Sequence, residues 1–216
     1  PHKMTVANIP TSIQAWLRDS AEMLADAGIT SALLDAELIL AHTVRKNRTW
    51  LHAHNDEQLT ERQLEIAHAR LQLRLDRTPL AYIIGHKDFY GRLFKVTPSV
   101  LIPRPESEAI ITCLRQYEPH TGRLVDVGTG SGCLGITAKL EIPALDVTLT
   151  DNSRHALAVA RENATRLHAH VDIIQSDLLS ATFGTFDGII ANLPYVDASW
   201  ERSPETNCEP AEALFA

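Results

Sequence analysis

Residues 124–135 read Leu124-Val125-Asp126-Val127-Gly128-Thr129-Gly130-Ser131-Gly132-Cys133-Leu134-Gly135. The short apolar run at the start is typical of a buried strand in a parallel sheet. Glycines at alternate positions then allow a sharp turn whose backbone can approach a ligand closely. Because residues 132–140 are predicted to form a helix, the turn presents free backbone N–H groups at a helix N-terminus. Many nucleotide-binding sites share such a turn, so it does not by itself identify the ligand.

Three further predicted strands follow this turn, and each ends in polar residues. Residues 144–150 lead to Asp151, residues 171–175 lead to Ser176-Asp177-Leu178, and residues 186–191 lead to Asn192-Leu193-Pro194-Tyr195. Helices are predicted between the strands, for example over residues 154–167. This alternation predicts an α/β fold with an open, mostly parallel, Rossmann-like sheet. Ligands bind beyond the C-terminal ends of such strands, so we expect these segments to form one site.

Asp151 lies about twenty residues beyond the glycine-rich turn, which is where a ribose-binding carboxylate lies in βαβ nucleotide-binding folds. A carboxylate suits this position because it can accept hydrogen bonds from both ribose hydroxyls at once. The sequence therefore predicts that Asp151 binds a nucleoside.

The residues before the turn form two other predicted regions. Amphipathic periodicity predicts helices over residues 12–27 and 31–44, and the capping box Thr60-Glu61-Arg62-Gln63 predicts another. Residues 81–85 and 88–96 are rich in aromatic and β-branched side chains, which favours a hairpin. The predicted division is a helical bundle (1–78), a hairpin linker (79–105) and an α/β domain (106–216). The bundle is interpreted as a substrate-recognition module, with a structural cap as the alternative.

Arg104 lies between Pro103 and Pro105. Two flanking prolines favour extended backbone, which positions the arginine side chain. Arg104 is therefore predicted to bind substrate, with an ordinary loop before the next helix as the alternative.

The composition of the chain argues against several classes of protein. The chain has 216 residues and a net charge of −7, which argues against broad nucleic-acid binding. No apolar run reaches the ~20 residues of a membrane span. The three cysteines form no C-x-x-C pair, so a cytoplasmic location is favoured over a disulfide framework or a zinc ribbon. His52 and His54 are expected to be a solvated loop pair, and no metal site is predicted.

Taken together, these segments resemble the class I S-adenosylmethionine-dependent methyltransferases. The chain is similar, more narrowly, to the HemK/PrmC family. That narrower resemblance rests on residues 79–85, Asp88-Phe89-Tyr90-Gly91, residues 101–108, and Glu209-Pro210 followed by Ala213-Leu214. The family methylates the side-chain N5 of the glutamine in the Gly-Gly-Gln motif of peptide chain release factors. The resemblance implies this activity, S-adenosylmethionine as the cofactor, release factors as partners, and a monomer without stable nucleic-acid or membrane partners.

The resemblance also implies roles for individual residues. Asp126 and the turn formed by Gly128, Thr129, Gly130, Ser131 and Gly132 would hold the amino-acid end of the cofactor. Asp151 with Asn152 would hold the ribose, and Asp177 with Leu178 the adenine edge. Asn192, which also borders the cofactor, and the Leu193 carbonyl would accept hydrogen bonds from the acceptor nitrogen. Pro194 would stiffen the turn, and Tyr195 would offer a planar face to the amide.

The sequence departs from the family pattern in two places, and these departures leave alternative functions open. The family usually has Asn-Pro-Pro-Tyr, whereas Leu193 occupies the second position here; Asn-Leu-Pro-Tyr also occurs in rRNA adenine dimethyltransferases. An rRNA or DNA adenine N6-methyltransferase is therefore one alternative, and a non-catalytic or NAD-binding Rossmann-like protein is a second. The chain also stops at Ala216 where family members continue, so we expect the methyltransferase domain to be incomplete and its sheet to need further strands.

Overall fold

The computed structural model describes residues 11–117, 120–193 and 204–214. The chain divides into two compact units, residues 1–84 and residues 85–216. Among the described residues, no helix combines the length and the apolar character that a membrane span requires.

The first unit is helical. Its elements are α1 (Ile13–Asp26), α2 (Ala32–Val44), α3 (Arg48–Ala53), α4 (Glu61–Leu75) and α5 (Leu80–Ile84). The predicted capping box is confirmed at the start of α4. Thr60 Oγ1 accepts from the Gln63 backbone N–H at 3.3 Å, and Gln63 Oε1 accepts from the Thr60 N–H at 2.8 Å. The helices predicted from residues 12 and 31 also form, because their apolar stripes pack into one core.

One ion pair lies inside this helical unit. Arg74 of α4 donates from Nε to Asp35 Oδ2 of α2 at 2.6 Å, and the two side chains are only 8% and 5% exposed. Trp16 and Leu24 of α1 belong to the surrounding apolar core. The pair therefore joins two helices where water cannot screen the charges.

Two local predictions in this part of the chain are wrong. Residues 80–84 form the short helix α5, so the hairpin is confined to β1 (His86–Phe89) and β2 (Arg92–Lys95). His52 lies in α3 rather than in a loop, and its Nε2 is 3.0 Å from the buried Glu37 carboxylate. His54 stacks on Trp50 with ring centroids 4.3 Å apart. In the described ranges, no cluster of three His, Cys, Asp or Glu residues is arranged to hold a metal ion.

The second unit contains the predicted parallel sheet. Its strands are β3 (Gly122–Val127), β4 (Leu145–Asp151), β5 (Asp172–Gln175) and β6 (Gly188–Ala191), in the order β5-β4-β3-β6. The helices are α6 (Glu108–Gln116), α7 (Cys133–Glu141) and α8 (Arg154–Arg166). All the strand pairs of this four-stranded sheet are parallel. The Rossmann-like α/β prediction is therefore confirmed.

The register of the sheet brings the strand ends together. Val127 pairs with Thr150 of β4 and with Ala191 of β6, and Asp151 pairs with Gln175 of β5. The chain continues from β3 to β4 on one side, whereas β6 pairs on the other side of β3. A crevice forms at such a reversal of strand order, and it is the usual ligand position in open α/β sheets.

Candidate active site

The glycine-rich turn leaves the end of β3 in a conformation that L-residues rarely adopt. Gly128 has φ +68° and Gly130 has φ +54°. This positive φ favours glycine at position 128, and a Cβ atom there would also lie 2.9 Å from Leu193 Cδ2, so that the leucine side chain would have to shift. The Thr129 N–H donates to the Thr150 carbonyl at 2.9 Å. The turn is therefore hydrogen-bonded to the end of β4.

The side chain of Asp126, near the end of β3, stabilises the glycine-rich turn. Its side chain is buried, and its Oδ2 accepts from Thr129 Oγ1 at 2.6 Å and from the Gly135 N–H at 2.9 Å. Burial raises the pKa of Asp126 to about 6, although both hydrogen bonds favour the ionised form and lower it. The Asp126 carboxyl group therefore links β3 to the glycine-rich turn and to the N-terminal end of α7.

Asp151 is oriented by two backbone donors. The Gly130 N–H donates to its Oδ2 and the Ser153 N–H to its Oδ1, each at 2.9 Å. Each carboxylate oxygen can accept more than one hydrogen bond. The side chain is therefore preoriented and retains the capacity to accept hydrogen bonds from a ligand.

Ser131 offers a buried polar atom at the same place. Its hydroxyl makes no hydrogen bond to a nitrogen or oxygen atom of the described residues. The neighbouring Cys133 thiol is only a weak partner for it. The backbone carbonyl of Ser131, by contrast, accepts from Asn163 Nδ2 at 2.9 Å. A buried hydroxyl without a strong partner is costly, so a polar ligand group is expected to satisfy it.

A pocket of about 370 Å³ brings these groups together, which is within the ~300–1,000 Å³ range of small-molecule sites. All four strand ends contribute to its wall. The predicted site residues that line it are Arg104, Asp126, Gly128, Thr129, Gly130, Ser131, Asp151, Asn152, Asp177, Leu178, Asn192 and Leu193. Gly132 is outside this lining and instead precedes α7 as its N-cap, with φ +81°. Pro194 and Tyr195 lie outside the described residues.

The pocket also contains residues to which sequence reasoning assigned no role. Val100 and Leu101 contribute to it, as do Pro210 and Ala213. Leu101, Pro210 and Ala213 lie in segments that carry the family resemblance, but no role was assigned to them, because their place in the pocket depends on how distant loops fold over the sheet. Asn163 was also missed, although it occupies the buried stripe of α8 among alanines, where a polar residue indicates a specific hydrogen-bonding role.

Comparison with known proteins agrees with this geometry. Residues 15–85 match the PrmC N-terminal domain, and residues 105–206 match the family described as methyltransferase small domain. Release factor glutamine methyltransferase from Koribacter versatilis (strain Ellin345) is 42% identical over 205 residues, covering 91% of this chain and 73% of the relative. The protein of the same name from Chlorobaculum tepidum is 36% identical over 222 residues, covering 95% and 76%. The Escherichia coli (strain K12) protein of that name is 33% identical over 211 residues, covering 94% and 74%.

Both regions of the chain thus match, the helical unit as well as the sheet that carries the pocket. The identities extend over more than nine tenths of the chain in each of these three relatives. The chain belongs to the release factor glutamine methyltransferase family.

Proposed function

We propose that this chain transfers a methyl group from S-adenosylmethionine to the side-chain N5 of the glutamine in the Gly-Gly-Gln motif of peptide chain release factors. The observation that carries this proposal is the shared pocket of Asp151 and Asn192. The Asp151 carboxylate suits the nucleoside of the methyl donor, and the Asn192 side chain suits the amide of the acceptor. Donor and acceptor would therefore meet in this pocket. The names of the relatives support glutamine as the acceptor rather than adenine.

The residues of the pocket fit this donor. Asp151 offers carboxylate oxygens for the ribose hydroxyls, and the Ser131 hydroxyl, which has only the weak Cys133 thiol as a partner, offers a polar contact near the N-terminus of α7. We propose that Asn152 assists at the ribose, that Asp177 and Leu178 border the adenine edge, and that the Gly128–Gly132 turn holds the amino-acid end. When bound, S-adenosylmethionine supplies a methyl group on a positively charged sulfur atom.

Asp126 has a second role in this proposal. Both of its hydrogen bonds to Thr129 and Gly135 use Oδ2. We assign Oδ1 to the amino group of the donor, whose positive charge would favour the ionised carboxylate against the burial that raises its pKa to about 6. Asp126 would then order the turn and contact the donor at the same time.

Asn192 and Leu193 would hold the acceptor. An amide nitrogen is a poor nucleophile because its lone pair is delocalised, so rigid positioning gives the largest gain. We propose that the Asn192 side-chain oxygen accepts one N–H of the glutamine amide and that the Leu193 carbonyl accepts the other. The two carbonyl dipoles would then stabilise positive charge as it develops on the nitrogen. Pro194 and Tyr195 remain predicted participants that stiffen the turn and face the amide.

Recognition of the whole release factor needs a larger surface than the pocket. We propose that the helical unit supplies part of it and that Arg104 contacts the substrate loop at the pocket. Three free cysteines and a translation factor as substrate support a cytoplasmic location. We also propose that the chain acts as a monomer without stable nucleic-acid partners, in keeping with its net charge of −7.

Mass spectrometry of a release factor tests the proposal. The wild-type chain, incubated with S-adenosylmethionine, should add one methyl group to the glutamine of the Gly-Gly-Gln peptide. A release factor in which this glutamine is replaced by glutamate is the matched control and should gain no mass. Methylation of RNA adenine at low salt, with the release factor unmodified, would favour the adenine alternative. Tight NAD binding without binding of S-adenosylmethionine would favour the dehydrogenase-like alternative.

A further inference from the structure

Glu209 connects two parts of the sequence that are more than a hundred residues apart. Its Oε1 accepts from Arg104 Nη2 at 2.5 Å, and its Oε2 accepts from the Ile102 backbone N–H at 3.2 Å. The Glu209 side chain is only 3% exposed, whereas that of Arg104 is 39% exposed. Both carboxylate oxygens therefore bind the same short loop.

Burial makes this attachment specific. A carboxylate loses its hydration when it leaves water, and only charged and hydrogen-bonding partners offset that loss. Glu209 finds both kinds of partner in the 102–104 loop. If the segment around Glu209 moved away, Ile102 would lose an acceptor and Arg104 would lose its buried anion. The two segments are therefore held together at one defined position.

Both joined segments line the pocket. Pro103 and Arg104 contribute from the loop, and Pro210 and Ala213 contribute from the segment that contains Glu209. Glu209 itself does not line it. The carboxylate thus joins two segments of the pocket wall without lining the pocket itself.

We propose that Glu209 is a positioning residue for the methyl donor. It fastens residues 204–214 to the 102–104 loop and thereby completes the wall of the donor pocket, acting through Arg104 and Ile102 without touching the donor. A complete wall excludes water and limits the escape of the bound donor. This inference rests on the proposed function, because it assigns the pocket to S-adenosylmethionine.

Glu209→Gln and Glu209→Ala, made in the full chain, test the proposal. Glutamine keeps a neutral acceptor for Ile102 but loses the charge opposite Arg104, and alanine loses both contacts. Glu141→Gln is the matched control. Glu141 is a partly buried glutamate, 17% exposed, that pairs with Arg92 Nη2 at 2.6 Å and Arg115 Nη1 at 3.3 Å, but it does not line the pocket.

Two measurements distinguish positioning from general stability. Calorimetry with S-adenosylhomocysteine should show Kd at least tenfold higher for Glu209→Gln and higher still for Glu209→Ala. Hydrogen exchange in the ligand-free chain should rise in the peptide covering residues 204–214 in the same order. The Glu141→Gln control should match the wild type in both measurements, even if its Tm falls.

The outcomes distinguish a failure of the positioning role from a failure of the proposed function. If the wild type binds S-adenosylhomocysteine and Glu209→Gln matches the Glu141→Gln control in Kd and exchange, the positioning role is wrong while the proposed function stands. If the wild type binds no S-adenosylhomocysteine, the proposed function is wrong and the inference falls with it. If Glu209→Ala fails to fold, the near-isosteric Glu209→Gln variant still decides between these results.

Discussion

The Asp151 carboxylate accepts a hydrogen bond from the Gly130 backbone N–H at 2.9 Å, although the residues are 21 positions apart. Asp151 lies at the end of β4, and Gly130 lies in the turn after β3. The bond places the two groups most suited to a nucleoside, a carboxylate and a glycine-rich turn, side by side before any ligand arrives. Such preorganisation reduces the ordering cost of binding.

Replacing Asp151 should therefore weaken donor binding. Asp151→Ala removes charge-assisted hydrogen bonds to the ribose, each worth ~1.5–3 kcal/mol, so Kd for S-adenosylhomocysteine should rise at least tenfold. Asp146→Ala is the matched control, because Asp146 is an exposed aspartate of the same strand outside the pocket. Calorimetry that gives the two variants equal Kd values would contradict the assignment of Asp151.

Asn192→Ala should affect the chemical step and leave donor affinity nearly unchanged. The substitution removes the acceptor that holds the amide nitrogen in line with the methyl group, so kcat should fall by ~10²-fold or more. Asn192→Asp should also be slow, because a charge in a closed site is costly to desolvate. Single-turnover methylation and calorimetry measure the two effects separately. A rise in Kd without a fall in kcat would reassign Asn192 to the donor.

Asp126 should make the folded chain less stable as pH rises, which is the reverse of the usual effect of a carboxyl group. Its pKa is raised from 3.8 to about 6 in the folded chain. Between these values the folded chain holds a proton that the unfolded chain has released, so the contribution of Asp126 to stability falls as pH rises. The whole change is ~3 kcal/mol at most. Urea unfolding across this window should show the unfolding free energy of the wild type falling, relative to that of Asp126→Asn, as pH rises. A constant difference would show that the pKa is not raised.

Removing one partner of the buried pair between Arg74 and Asp35 should strongly destabilise the helical unit. Arg74→Met leaves the Asp35 carboxylate buried without its guanidinium partner, which costs about 3–5 kcal/mol in comparable cases. Arg18→Met is the control, because the Arg18–Asp19 pair is 72% and 61% exposed and should contribute less than ~1 kcal/mol. Thermal unfolding measures both variants. Similar Tm values for the two variants would contradict the predicted cost of leaving the Asp35 carboxylate buried without its partner.

Local patterns in the sequence were enough to predict most of the elements and their order. Glycines after an apolar run predicted the turn that follows β3, and the capping box predicted the start of α4 within one residue. The polar residues after each strand predicted which side chains would meet, because parallel strands place their C-terminal ends at one edge. These features depend on periodicity and on neighbouring residues, so the sequence alone determines them.

Contacts between distant residues were decided only by the tertiary structure. Residues 80–84 have strand-like composition but form α5, whose Leu80 packs against the helical core, since packing can override a weak local propensity. The pairing of Glu209 with Arg104 and the hydrogen bond from Asn163 to the Ser131 carbonyl join segments 105 and 32 residues apart. The burial that raises the pKa of Asp126 likewise comes from the whole sheet and its helices. Local patterns determine elements, whereas three-dimensional packing determines which charges are buried and what they contact.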